Sequence, residues 1–118
     1  MAVTFEDVRK MALSLPKVVE STSYGTAAFK AGGKLLARLR EDGETLVVGT
    51  TFEERAEMLA ADPDTYYLTD HYVNYPWVLV RLSRVHPDGL QDLLARALRL
   101  ASTAGQTAAT RKRKSRRS

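Results

Sequence analysis

Apolar residues recur at helical spacing near the N-terminus, where Phe5, Val8, Met11, Ala12 and Leu15 follow Thr4, with Asp7 three residues beyond it. This is the pattern of a capping box leading into an amphipathic helix. Pro16 ends the helix at about Leu15, because the residue before a proline is driven out of the helical region. Lys17 to Tyr24 mixes β-branched and polar residues, and its pattern leaves open whether it pairs as a strand. After Gly25 the period becomes two: Thr26 to Lys30 forms a short strand, and Gly32-Gly33 closes a hairpin into Lys34 to Arg40. There Leu35, Ala37 and Leu39 alternate with Leu36, Arg38 and Arg40, which predicts one buried face and one face carrying two guanidinium groups.

Glu41-Asp42-Gly43-Glu44 makes a second turn, and Leu46 and Val48 repeat the alternation in a third antiparallel strand. Thr51 with Glu54 caps a second helix of about ten residues, with Phe52, Ala56 and Leu59 as its apolar stripe, ending before Asp62-Pro63. Thr65 to Thr69 and Trp77 to Leu82 have strand character, separated by a polar, aromatic loop. Pro87 suits the first position of a third helix, whose stripe is Leu90, Leu93, Leu94, Ala97, Leu98 and Ala101. The resulting order, α-β-β-β-α-β-β-α, predicts a two-layer α+β domain in which helices pack on an antiparallel sheet.

Length and charge refine this picture. The chain has 118 residues, enough for one core but not two. The net charge of +4 conceals two segments. Arg111, Lys112, Arg113, Lys114, Arg116 and Arg117 lie together near the C-terminus, leaving twelve basic against fourteen acidic residues in 1–110. The expected organisation is a domain over 1–101 followed by a basic tail over 102–118, disordered on its own because it has no periodic apolar face and its charges repel. No apolar run approaches the roughly 18 residues of a membrane span. Glu6 and Asp7 interrupt any secretory leader.

Candidate chemistry is sparse. With no cysteine and only His71 and His86, thiol chemistry and the usual metal cages are not expected, and no cofactor is called for. Gly32-Gly33 lacks the spacing and following helix of a phosphate loop, and no serine has the context of a nucleophile elbow. Glu53-Glu54 and Asp62 with Asp64 are explained by capping and turn formation. His71 has no partner that spacing identifies, so the chain is expected not to be an enzyme.

Two features point to binding. One is a cationic set, Lys30, Lys34, Arg38, Arg40 and Arg81 on or beside strands, together with the six basic residues of the tail, expected to contact nucleic acid phosphates largely without sequence preference. Glu41, Asp42 and Glu44 temper the strand-borne part of this set. The other is the segment from Tyr66 to Trp77, which holds four of the five tyrosines and the single tryptophan. Its rings fill core, or His71, Tyr72, Tyr75 and Trp77 line a cleft for a small ligand or a protein segment. The first expectation is therefore a non-enzymatic DNA-binding protein, and the alternative is an adaptor that uses the aromatic loop.

Several segments taken in order resemble the MmcQ/YjbR family of small bacterial proteins. They are S-L-P at Ser14 to Pro16, E-S-T-S-Y-G-T-x-A-F-K at Glu20 to Lys30, and G-K-L-x-A-R-L-R-E-D-G at Gly33 to Gly43. L-A-A-D-P at Leu59 to Pro63 and H-Y-x-x-Y-P-W-V-L-V-R-L at His71 to Leu82 complete the set. The resemblance spans about 4–101 and implies a secretion-chaperone-like α+β fold, a cytoplasmic setting and a description as DNA-binding that rests mainly on fold analogy. Ala27 stands where that family usually has proline, and Gly49 where its strand often ends in a basic residue.

Overall fold

The computed structural model describes residues 3–23 and 25–117, with side chains through Ser102. The elements are α1 (Phe5–Leu13), β1 (Val18–Ser23), β2 (Thr26–Ala31), β3 (Lys34–Leu39), β4 (Thr45–Gly49), α2 (Phe52–Ala61), β5 (Tyr66–Tyr67), a 3-10 turn (Asp70–Tyr72), β6 (Trp77–Arg81) and α3 (Pro87–Arg117). The predicted α+β fold holds with one strand more than the expected order: Val18–Ser23, whose pairing the pattern left open, is an edge strand before the other five. The six strands form one antiparallel sheet in the order β1-β2-β3-β4-β6-β5. Gly32 and Gly33 both have positive φ, 58° and 79°, so the β2–β3 hairpin uses a conformation that glycine enters without a Cβ penalty.

One sheet face carries the helices. Phe29, Leu46, Val48, Val78 and Val80 from the sheet meet Val8 and Ala12 of α1 and Leu90, Leu93, Leu94 and Ala97 of α3 in a continuous apolar core. In α2, Met58 packs against the same core and Glu54 Oε1 accepts from Arg96 Nη1 of α3 at 2.9 Å. Thr4 completes the expected capping box with Asp7, and Thr51 accepts from Glu54 N at 3.1 Å. The bounds of α3 run past Ala101 to Arg117. The expected disorder of the 102–118 tail concerns residues whose side chains, after Ser102, lie outside the described ones.

Three local expectations are corrected. Strict alternation fails in β3: Phe29 pairs with Ala37 but Lys30 pairs with Leu35, so Leu36 is an extra residue in a bulge. Leu36 and Ala37 both join the core, while Leu35 and Arg38 both face the other side. The stripe of α2 is also displaced, because Phe52 and Ala56 are exposed and Arg55 is buried. Finally, the strand expected over 65–69 shortens to Tyr66–Tyr67, its pairing to β6 ending at Tyr67, ahead of the 3-10 turn that starts at Asp70.

Candidate functional site

On the face away from the helices, Ala28, Val47 and Leu79 are as buried as the main core. Val47 lies under the 68–76 loop. The loop folds back so that Tyr72 Oη accepts a hydrogen bond from Arg38 Nη2 at 3.1 Å. Tyr67 Oη lies 3.0 Å from Thr45 Oγ1. Between loop and sheet is an open-sided cleft of about 330 Å³, lined by Leu35, Arg38, Val47, His71, Tyr72, Tyr75 and Trp77. That is at the lower end of the range of small-ligand sites, and an apolar wall with a few polar groups is their usual make-up.

The floor is built by register. Arg38 pairs with Val47, and Gly49 pairs with Trp77, across β3–β4 and β4–β6. The Trp77 ring packs over Gly49, its Cζ3 lying 3.4 Å from where a Cβ there would stand, an ordinary contact distance. The β3 bulge brings Leu35 round to the same face, three residues from Arg38. The rim is aromatic: the His71 ring meets Tyr72 edge-on with centroids 4.7 Å apart, and lies 6.5 Å from Tyr75. Tyr75 is 56% exposed, a large apolar surface that serves no core.

Arg38 is the cleft's charged group, with only 11% of its side chain exposed. Besides Tyr72 it donates from Nη1 to Glu41 Oε1 at 3.3 Å and to Thr26 Oγ1 and the Leu39 carbonyl at 3.4 Å. Burial disfavours its charge, but the bonds to Tyr72 and Glu41 outweigh burial and hold its pKa above the ordinary arginine value. A second hollow, lined by Arg38, Glu41, His71 and Tyr72, extends the cleft toward the β3–β4 turn.

What holds the loop in place was not legible as a site residue. Arg55 of α2 is 9% exposed and donates from Nη1 to the Tyr75 carbonyl at 2.7 Å, to Tyr72 O at 3.1 Å and to Trp77 O at 3.3 Å. Its Nη2 donates to Val73 O at 2.9 Å, and its guanidinium lies over the Phe52 ring, 4.8 Å from the centroid. One fork thus gathers three carbonyls of an irregular loop and that of Trp77 at the start of β6. Its only sequence signal is an arginine at helical spacing between Phe52 and Met58.

The structure brings His71, Tyr72, Tyr75 and Trp77 together around one cleft. It divides the cationic set. Arg38 enters the cleft, and Lys30, paired with Leu35, sits on the neighbouring strand. Arg40 lies one residue past β3, where its N donates to Thr45 O at 2.9 Å and its charge lies near Asp42. Lys34 donates to the Ala101 carbonyl of α3 at 3.4 Å, on the helix side. Arg81 lies over the Tyr67 ring at 4.1 Å, four residues along β6 from Trp77 and hence about 13 Å away. The side chains of Arg111, Lys112, Arg113, Lys114, Arg116 and Arg117 lie outside the described residues. Among the described residues no helix is long and apolar enough to cross a membrane.

Comparison with known proteins agrees with this architecture. The YjbR family model matches residues 13–100. Uncharacterised proteins of Mycobacterium tuberculosis and Mycobacterium bovis are 29% identical, over 80% of this chain and 84% of theirs. A crystal structure of a Deinococcus radiodurans protein, described as a DUF419 domain, superposes with a TM-score of 0.78 at 26% identity, covering 95% of this chain and 88% of that one.

Proposed function

The chain belongs to the YjbR family, and from that premise we propose that it is a cytoplasmic, non-enzymatic binding domain whose working surface is the cleft between the 68–76 loop and the open sheet face. The observation that carries this is the convergence of His71, Tyr72, Tyr75 and Trp77 with Arg38 on one concavity. Core packing alone does not account for it, since Tyr75 and His71 are exposed. The loop is also preorganised: Arg55 fixes its carbonyls before any ligand arrives, which reduces the entropy lost on binding. Apolar walls and a guanidinium next to a tyrosine hydroxyl suit a small flat ligand bearing an anionic or carbonyl acceptor.

Trp77 is the only tryptophan, so its fluorescence reports on this cleft. Titration with small flat acceptor-bearing compounds such as 4-hydroxybenzoate, indole-3-acetate and thymidine monophosphate is expected to give a saturable emission change with at least one of them. The change should be lost in Tyr75→Ala at unchanged thermal stability. If no compound changes the emission saturably, the cleft is not a binding site.

A second reading, largely non-specific contact with DNA, is favoured by six cations within 111–117. Such a segment acts on phosphates through counterion release, independent of the cleft. Its test is binding of duplex DNA by the full chain and by a chain ending at Thr110 across a salt titration. Equal affinity of the two, or a flat salt dependence, removes this reading.

A further inference from the structure

Building on the cleft reading, we infer that the group the cleft accepts is an unstacked nucleobase with its attached phosphate. A duplex has no such group to offer, so the folded domain favours single-stranded nucleic acid over double-stranded. The shape of the cleft asks for a π-face. Leu35, Val47 and Trp77 form an apolar floor, and Tyr75 and His71 stand at the rim with exposed rings. Bases stack on such surfaces whatever their identity. At the polar end, Tyr72 Oη accepts from Arg38 Nη2, so its hydroxyl can still donate to a further acceptor, which a base carbonyl or a phosphate oxygen supplies.

Charge around the cleft fits one phosphate better than a continuous backbone track. Lys30 stands beside Leu35 on the same face, whereas Glu41 at one margin and Asp70 next to His71 repel a longer polyanion. The six cations within 111–117 supply the general attraction that this mildly acidic domain lacks. A duplex buries its base faces in its own stack and presents only sugar and phosphate. The apolar floor and aromatic rim give those nothing, and the attraction of a duplex then falls to the basic segment alone.

The test titrates the full chain with thymidine monophosphate, a short oligothymidylate and the duplex that oligomer forms with its complement. Trp77 emission is followed alongside anisotropy of labelled nucleic acid. The single strand is expected to quench Trp77 saturably, the mononucleotide to do so at higher concentration, and the duplex to leave Trp77 unchanged even where anisotropy shows it bound. Tyr75→Ala should weaken single-strand binding roughly 5- to 100-fold, the range of one lost stacking contact. Quenching by the mononucleotide with no gain for the oligomer would assign the cleft to free nucleotides and overturn the preference for strands. Equal quenching by duplex, or wild-type single-strand affinity in Tyr75→Ala, overturns the inference. If 4-hydroxybenzoate or indole-3-acetate quenches Trp77 and no nucleotide does, the cleft remains a ligand site and the base assignment fails. If nothing quenches, the cleft reading fails with it.

Discussion

A buried arginine commonly needs a carboxylate, yet Arg55 is satisfied by the carbonyls of Tyr72, Val73, Tyr75 and Trp77. Removing it strips charge-assisted donors from loop carbonyls and leaves a gap between α2 and the loop. Arg55→Ala should therefore lower the unfolding free energy by about 2–4 kcal/mol. Arg55→Lys recovers only part, because an ammonium cannot reproduce the planar fork. Urea denaturation followed by Trp77 fluorescence measures both, and an Arg55→Ala midpoint equal to wild type would show that the loop holds itself. A second prediction concerns acid. The Asp42 carboxylate accepts from Glu44 N at 2.8 Å and from Thr45 N and Thr45 Oγ1 at 3.0 Å. Its partial burial pushes its pKa up, but these bonds outweigh that and hold it below the ordinary carboxylate value. A depressed carboxyl stabilises the fold above its unfolded pKa, near 4, and that contribution is lost as pH falls through the lower folded value. The urea midpoint should thus drop on acidification below about pH 4. Asp42→Asn, less stable at neutral pH, should show a shallower drop, with Asp7 and Glu20, also depressed by their partners, supplying what slope remains. Identical acid profiles for the two proteins would remove Asp42 from the account.

Elements transmit these residue effects unequally. Thr51 caps α2, and Arg55 sits one turn later on the same helix, so fraying at the cap loosens the residue that holds the cleft loop. Thr51→Ala should cost about 1 kcal/mol and also shift Trp77 emission toward that of exposed indole. Thr4→Ala in α1 should destabilise the fold while leaving native Trp77 emission unchanged, because α1 packs on the opposite face. Emission unchanged in both variants would separate α2 from the cleft. What could be foreseen from the chain divides along the same line. Leu90, Leu93, Leu94 and Ala97 marked the inward face of α3 by spacing alone, and Gly32-Gly33 marked its hairpin, since both are decided within a few residues. The phase of α2 and the bulge in β3 were not foreseeable. Arg55 is buried because of carbonyls 17 to 22 residues away, and Leu36 is extra only relative to the strand across from it. The aromatic segment announced four of the cleft's side chains, while Leu35 and Val47 looked like ordinary strand residues until register placed them on its floor.

Charge and shape occupy different parts of the whole molecule. Twelve basic and fourteen acidic residues are spread over 1–110, and six basic residues stand within 111–117. The cations of the domain are themselves dispersed, with Lys34 on the helix side, Arg81 over Tyr67 and Arg38 bonded within the cleft. Long-range attraction to a polyanion should therefore belong to the basic segment, and contact at the cleft to the domain. The two parts are separable because their salt dependences differ: released counterions scale with phosphates neutralised, whereas a stacked ring is indifferent to ionic strength. For oligothymidylate, the logarithm of the full chain's affinity should fall against the logarithm of salt with a slope no steeper than about −4, six cations at about 0.7 each. The chain ending at Thr110 should lose most of that slope while retaining the Trp77 response to thymidine monophosphate. Arg38→Gln should do the reverse, keeping the slope and losing the response. Measured together, a truncated chain that keeps the full slope would return the attraction to the domain's own cations, and Arg38→Gln that keeps the response would take the guanidinium out of the cleft's chemistry.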